Sequence, residues 1–188
     1  DQTRRQRQMC IRDSNISIDT LDFGGGFAVL DHSDKKINFE SWKDSCNKIL
    51  EGKNFNIIFE PCRFIVADSC ELISKVLYIK ESGEKKIAIV DCSFSEYIRP
   101  ALYDIKPPIK VANSSKKTGI YDIAGGICES TDYFVKDIEL PEIKAGDNII
   151  FMNVGAYGSS MSSTYNSRPR PLEVLYLSLI HISEPTRL

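Results

Sequence analysis

The sequence predicts an α/β segment followed by an all-β domain, with the change near Ser74. Two observations predict it. Ahead of Ser74 one helical apolar stripe lies between two short apolar runs, each of which ends in a loop. Beyond about Leu72 helical spacing disappears, and short apolar runs alternate with clusters of turn residues. A third observation bounds the answer: 188 residues, 42% of them hydrophobic, suffice for one large core or two small ones. The formal net charge is -2, with both signs interspersed, so there is no electrostatic footprint for nucleic acid or an anionic membrane. No apolar run approaches the length that spans a bilayer.

The elements follow in order. Residues 16–23 alternate apolar and polar and run into Gly24, Gly25 and Gly26, which reads as a strand ending in a glycine loop. Such a loop can offer consecutive N–H groups to an anion, because no Cβ blocks the approach. The dinucleotide fingerprint Gly-x-Gly-x-x-Gly is not matched. Residues 38–50 carry Phe39, Trp42, Cys46, Ile49 and Leu50 at helical spacing, with Gly52 just beyond. Residues 55–59 are a nearly all-apolar run, as in a parallel strand buried on both faces, and end in Glu60, Pro61, Cys62 and Arg63. In a (β/α)8 barrel the chemistry sits at such strand ends. Residues 76–80 and 86–91, joined through Gly83, form a hairpin; further strands are expected over 109–112, 119–124 and 148–154.

Both ends read as foreign to the protein. Residues 8–14 can be encoded by a DNA string whose reverse complement, in frame, encodes Leu177, Ser178, Leu179, Ile180, His181 and Ile182. This inverted pair resembles the transposon-end adaptors of sequencing libraries. Residues 1–14 and 177–188 are therefore expected to be adaptor-derived, which leaves a window of 15–176 cut at both ends. Within it His32 is the only histidine and has no assigned role. Cys46, Cys62, Cys70, Cys92 and Cys128 are five cysteines without a Cys-x-x-Cys pair, which reads as reduced thiols in a cytosol, with no metal site. Cys46, Cys70 and Cys92 read as small hydrophobes. The glycosylation patterns at Asn15 and Asn113 are idle in that setting.

Gly125-Gly126-Ile127-Cys128-Glu129-Ser130-Thr131-Asp132 sets a thiol and a carboxylate side by side after a glycine pair, a proton donor next to an anion. By itself that spacing names no reaction. Taken in order, LDFGGGF, EPCRFIVA, RPALY, GGICESTD, GD and GAY followed by YN-RPRP resemble the C-terminal half of the pyridoxal-phosphate-dependent diaminopimelate decarboxylases, over almost the whole window. The fold this implies is the terminal part of a (β/α)8 barrel of the alanine-racemase type, residues 15–74, followed by a C-terminal β-barrel or sandwich domain, residues 75–176. The chain would be a truncated fragment.

The resemblance implies a role for each matching position. Gly24, Gly25 and Gly26 would cradle the phosphate of pyridoxal 5'-phosphate, and Tyr157 would close over the cofactor. Glu60, followed by Pro61, Cys62 and Arg63 along the cofactor, would keep the pyridinium nitrogen protonated, so that the ring accepts electrons as CO₂ leaves. Arg63, Arg99 and Tyr103 would clamp a substrate carboxylate, a task that suits the guanidinium fork. Glu129 would hold the substrate's far amino group, and Cys128 would protonate the carbon that has lost CO₂; an ordinary thiol, with pKa about 8.5, is still protonated at neutral pH. The implied reaction is meso-2,6-diaminopimelate to L-lysine and CO₂, in a homodimer whose Cys128 and Glu129 reach the partner's site.

The sequence departs from that pattern twice. Cys62 stands where the family has glycine, and Gly126 where proline is usual. If position 62 needs a positive φ or a close backbone approach to the phosphate, cysteine there costs about 1 kcal/mol or more, and Cys62→Gly would tighten cofactor binding. In this family the Schiff-base lysine lies on an early barrel strand, so the chain alone is expected to be inactive and marginally stable. Two alternatives stay open. One is a relative acting on ornithine, arginine or carboxynorspermidine, although those resemble Cys-Asp-Gly or Cys-Leu-Ala at the loop; the other is a catalytically dead homologue that binds a partner protein.

Overall fold

A computed structural model describes residues 17–29, 37–83, 85–112, 115–178 and 181–182. The expected adaptor segment 1–14, Asn15, His32, Asn113 and most of 177–188 lie outside the described residues. At the C-terminal end Tyr176–Ser178 and His181–Ile182 pair as two short antiparallel strands. The chain divides into two compact units, one of residues 17–28 and 37–62, the other of Val29 and the described residues from Arg63 onward.

In the first unit, strand β1 (Thr20–Asp22) pairs in parallel with β2 (Asn56–Ile58), and helix α1 (Phe39–Leu50) lies between them in sequence. Asn38 caps α1: its side chain accepts a hydrogen bond from Ser41 N at 3.0 Å, with Glu40 in the first turn and Lys48 in the last complementing the helix dipole. The unit is held by aromatic rings. Trp42 packs against Phe59 and Phe27 with centroids 5.0 and 5.3 Å away, and Phe23 stacks on Phe59 at 5.4 Å. The expectation that 55–59 is buried on both faces is not met: Ile58 is 46% exposed and Phe59 37%. A parallel strand is covered on both faces only inside a wider sheet, and among the described residues β2 pairs on one side alone.

The second unit opens within a short helix α2 (Cys62–Val66), runs through a 3-10 turn (Ala67–Ser69) and then builds a six-stranded sheet. Its strands are β3 (Leu72–Ser82), β4 (Lys85–Val90), β5 (Ile109–Val111), β6 (Thr118–Ala124), β7 (Tyr133–Pro141) and β8 (Asn148–Phe151), in spatial order β5-β8-β3-β4-β6-β7. The edge strands β5 and β7 come into contact, so the sheet curls almost into a barrel. Val76, Val90, Tyr121, Ile123 and Phe151 fill its interior, and Phe134 lies on Phe151 at 4.6 Å. The second unit takes in the α2 segment ahead of β3. Backbone bonds explain it: Gly155 N donates to Ala67 O at 2.9 Å and Val154 N to Cys70 O at 3.1 Å, tying the α2 segment to the sheet domain.

Sequence periodicity misses helix α2, which has only five residues, and two further elements of this unit. Helix α3 (Arg99–Tyr103) is too short to show a stripe, and has Pro100 in its first turn, where a missing N–H costs nothing. In β7 the apolar run is broken by exposed Lys136 and Asp137; Asp137 sits at φ 53°, and its N–H donates to Asp122 Oδ1 at 2.8 Å across a register irregularity.

All five cysteines of the expected window are free, as reduced thiols would be. Cys92 is buried, and that burial raises its thiol well above the ordinary range, which keeps it inert. Cys70, expected to be a buried hydrophobe, is instead exposed. It follows the 3-10 turn directly and precedes β3.

Candidate active site

The expected residues fall on both units. In the first, Gly24 and Gly26 adopt φ 69° and 87°, and Glu60 N donates to Gly24 O at 2.9 Å, which folds the loop back on the end of β2. A Cβ on Gly25 would lie 2.5 Å from Glu60 O, whereas Cβ atoms on Gly24 and Gly26 would meet nothing within 4 Å. The loop is thus pinned on one side and open on the other, with Glu60 beside it. These residues fit a phosphate-bearing cofactor. One of the three amides is already engaged, since Gly24 N donates to Asp22 Oδ1 at 2.7 Å. Cys62 is exposed at the start of α2 and is not among the residues with positive φ, so the conformational cost expected of a cysteine there does not arise.

In the second unit Arg99 is 8% exposed, its guanidinium carbon 5.7 Å from the ring centres of both Tyr103 and Tyr157. Its Nε has no hydrogen-bond partner among the described residues. A buried guanidinium with an unused donor is a ready partner for a carboxylate. Arg63, Arg99 and Lys106 together line a cavity of about 170 Å³. Tyr157 stands at φ 64°, a left-handed conformation unusual for a bulky residue, and projects with 41% exposure.

The loop after β6 is organised by Asp132, which is 2% exposed. Its Oδ1 accepts from Phe94 N at 2.7 Å and its Oδ2 from Ile127 N at 3.1 Å, while Gly125 N donates to its carbonyl at 2.9 Å. Gly125 is required there, because a Cβ would fall 2.1 Å from Asp132 Oδ2. Burial raises the Asp132 carboxyl above the usual carboxylate value, against the two N–H groups, which lower it. Held this way, the loop exposes Cys128 and leaves Glu129 half-buried. Tyr165 Oη donates to Glu129 Oε1 at 2.5 Å. Behind it Arg168 Nε donates to Glu96 Oε1 at 2.8 Å, and Arg168 Nη2 donates to Asp91 O. Glu96 Oε2 in turn accepts from Ser93 N and Ser93 Oγ at 2.6 and 2.7 Å.

Residues 27–155 match the family model described as pyridoxal-dependent decarboxylase, C-terminal sheet domain. The chain belongs to that family. This pyridoxal-dependent decarboxylase sheet domain is 44% identical over 161 residues to the diaminopimelate decarboxylase of Helicobacter pylori, a match covering 85% of the chain and 40% of the relative. The crystal structure of diaminopimelate decarboxylase from Helicobacter pylori complexed with L-lysine superposes with a TM-score of 0.76 at 40% identity, over 92% of this chain and 43% of that one. A diaminopimelate decarboxylase structure from M. jannaschii, also with L-lysine, gives 0.76 at 32% identity, over 92% and 41%. The chain therefore spans about two fifths of the length of the relatives it matches. Among the described residues no helix is long and apolar enough to cross a membrane.

Sequence reasoning passes over the residues that hold the decarboxylase loop in place. Asp132, Tyr165 and Arg168 all lie within the quoted motifs but carry no role there, and Phe94 and Glu96 lie outside them. One local signal exists for Asp132: a short acid seven residues after a glycine, at the far end of a tight loop, is placed to collect that loop's N–H groups.

Proposed function

We propose that this chain is the C-terminal part of a cytoplasmic diaminopimelate decarboxylase that converts meso-2,6-diaminopimelate to L-lysine and CO₂ with pyridoxal 5'-phosphate. The observation that carries the reading is the pair at the loop tip, an exposed thiol beside a carboxylate whose one oxygen is engaged by Tyr165. Diaminopimelate differs from simpler amino acids by a second amino acid centre at its far end. A carboxylate with a free oxygen suits the far ammonium, and the buried Arg99 suits a carboxylate.

Pyridoxal phosphate, when bound, acts as the electron sink for the carbanion left by CO₂. The loop of Gly24, Gly25 and Gly26 would hold its phosphate, Glu60 its ring nitrogen, and Tyr157 its exposed side, with Pro61, Cys62 and Arg63 beside it. Arg63, Arg99 and Tyr103 orient the substrate carboxylate, and Glu129 takes the far ammonium. Cys128 delivers a proton to the substrate carbon from its Sγ. The loop bearing Cys128 and Glu129 is held by Tyr165 and Asp132 rather than by the Arg99 group, which suits a homodimer in which the loop serves the partner's site. The cofactor-bearing lysine belongs to an earlier strand of the parent barrel, residues 15–74 being that barrel's end and 75–176 the β-domain. The 188-residue chain alone is accordingly inactive. The test is CO₂ release by the full-length enzyme. Turnover of diaminopimelate well above ornithine is expected, and turnover of ornithine alone, or of neither, would sink the reading.

A further inference from the structure

The contacts around Glu129 form a closed ring. Tyr165 Oη donates to Glu129 Oε1 at 2.5 Å, and the Tyr165 ring stacks on Phe94 at 5.6 Å with planes 29° apart. Phe94 N donates to Asp132 Oδ1 at 2.7 Å, and Asp132 N donates to Glu129 O at 3.1 Å, which returns to the start. The main chain of Glu129 and its carboxylate are therefore referred to the same buried residue, one directly and the other through Phe94 and Tyr165. The far side of Tyr165 is fixed as well. Asn166 and Ser167 both take positive φ, at 58° and 57°, and Arg168 N donates to Tyr165 O at 3.3 Å while its side chain is held by Glu96.

We propose that Tyr165 is a positioning residue for substrate specificity, holding Glu129 Oε1 so that Oε2 is presented to the distal ammonium of a diamino acid. This rests on the assignment of Glu129 to substrate. A free glutamate samples many rotamers, and ordering it on binding weakens affinity; the phenol does the ordering beforehand. The hydroxyl also contributes a charge-assisted hydrogen bond, which a water molecule in its place would make without fixing direction. Since Tyr165 is 49% exposed, loss of its hydroxyl alters little of the core. The same contact explains why the phenol is raised above the ordinary tyrosine range, with the hydrogen bond to Glu129 as the main cause and its charge adding to it.

The test uses the full-length enzyme with Tyr165→Phe. KM for diaminopimelate is expected to rise about tenfold with kcat within twofold and the melting temperature unchanged. In a Glu129→Gln background the same substitution should add no more than twofold, because the oriented charge is already gone. An unchanged KM, a loss confined to kcat, or the full tenfold effect persisting in the Glu129→Gln background would each overturn the proposal. If the wild type turns over ornithine instead, the functional assignment fails, and the same KM comparison on ornithine still decides the role of Tyr165. A readout independent of turnover is NMR titration of ring-labelled tyrosine. The Tyr165 phenol should ionise above the ordinary value in wild type and move back in Glu129→Gln, and an unshifted wild-type phenol would count against the contact.

Discussion

Replacing Gly125 by alanine should loosen the whole Cys128–Glu129 loop, although it adds a single methyl group and changes no residue with a proposed chemical role. The new Cβ would sit 2.1 Å from Asp132 Oδ2 and 2.4 Å from Oδ1, where ordinary contact begins at 3.4 Å, so one side must give by about 1 Å. Asp132 cannot yield cheaply, because its two oxygens are the partners of Phe94 N and Ile127 N. Each donor left unpaired costs about 1–3 kcal/mol. Alanine restricts the unfolded chain and recovers about 0.4–1 kcal/mol, as Gly125 has no positive φ to strain. The net expectation is a loss of roughly 2–4 kcal/mol. Gly126 is the control: a Cβ there meets only Val90 O at 3.6 Å, an ordinary contact, so Gly126→Ala should be neutral or slightly stabilising. Urea denaturation of the full-length protein compares the two. Hydrogen exchange of the Phe94 and Ile127 amides localises the effect, and both should exchange faster in Gly125→Ala alone. Equal midpoints for the two variants, with both amides as protected as in wild type, would refute the argument.

Two other substitutions probe the same scaffold. Asp132→Asn places an amide donor against an N–H donor and should cost about 1–3 kcal/mol at neutral pH. Its pH dependence has a definite sign: a carboxyl raised by burial binds its proton more readily when folded, so its contribution to stability is greatest in acid. The midpoint gap between wild type and Asp132→Asn should narrow as pH rises from the ordinary carboxylate value through the raised folded one, and denaturation at a series of pH values reads it. Arg168→Ala leaves Glu96, 6% exposed, without its cationic partner. Because Arg168 is itself partly exposed, the loss should be about 2 kcal/mol, below the ~3–5 typical of a fully buried pair, and measurable as a lower denaturation midpoint.

Much of the local structure follows from composition and spacing. Asn38 before an apolar stripe forms a cap because its side chain competes for the first amides, and Gly83 between alternating runs forms a hairpin because it accepts a positive φ. The motifs that contain Gly24, Glu60, Arg99, Cys128 and Tyr157 are legible because each is a short stretch whose chemistry is written in neighbouring residues. Cys62 shows the limit of that reasoning, since a family glycine implied a positive φ that the backbone does not adopt. Strand β7 was hidden because its apolar pattern is interrupted at a bulge, and a bulge is a property of two strands together. The burial of Arg99 and the ring joining Asp132, Phe94, Tyr165 and Glu129 depend on residues up to 71 positions apart, between Phe94 and Tyr165. Which amide a carboxylate meets, and which of its oxygens stays open, is settled only when the sheet curls and brings those distant segments within hydrogen-bonding range.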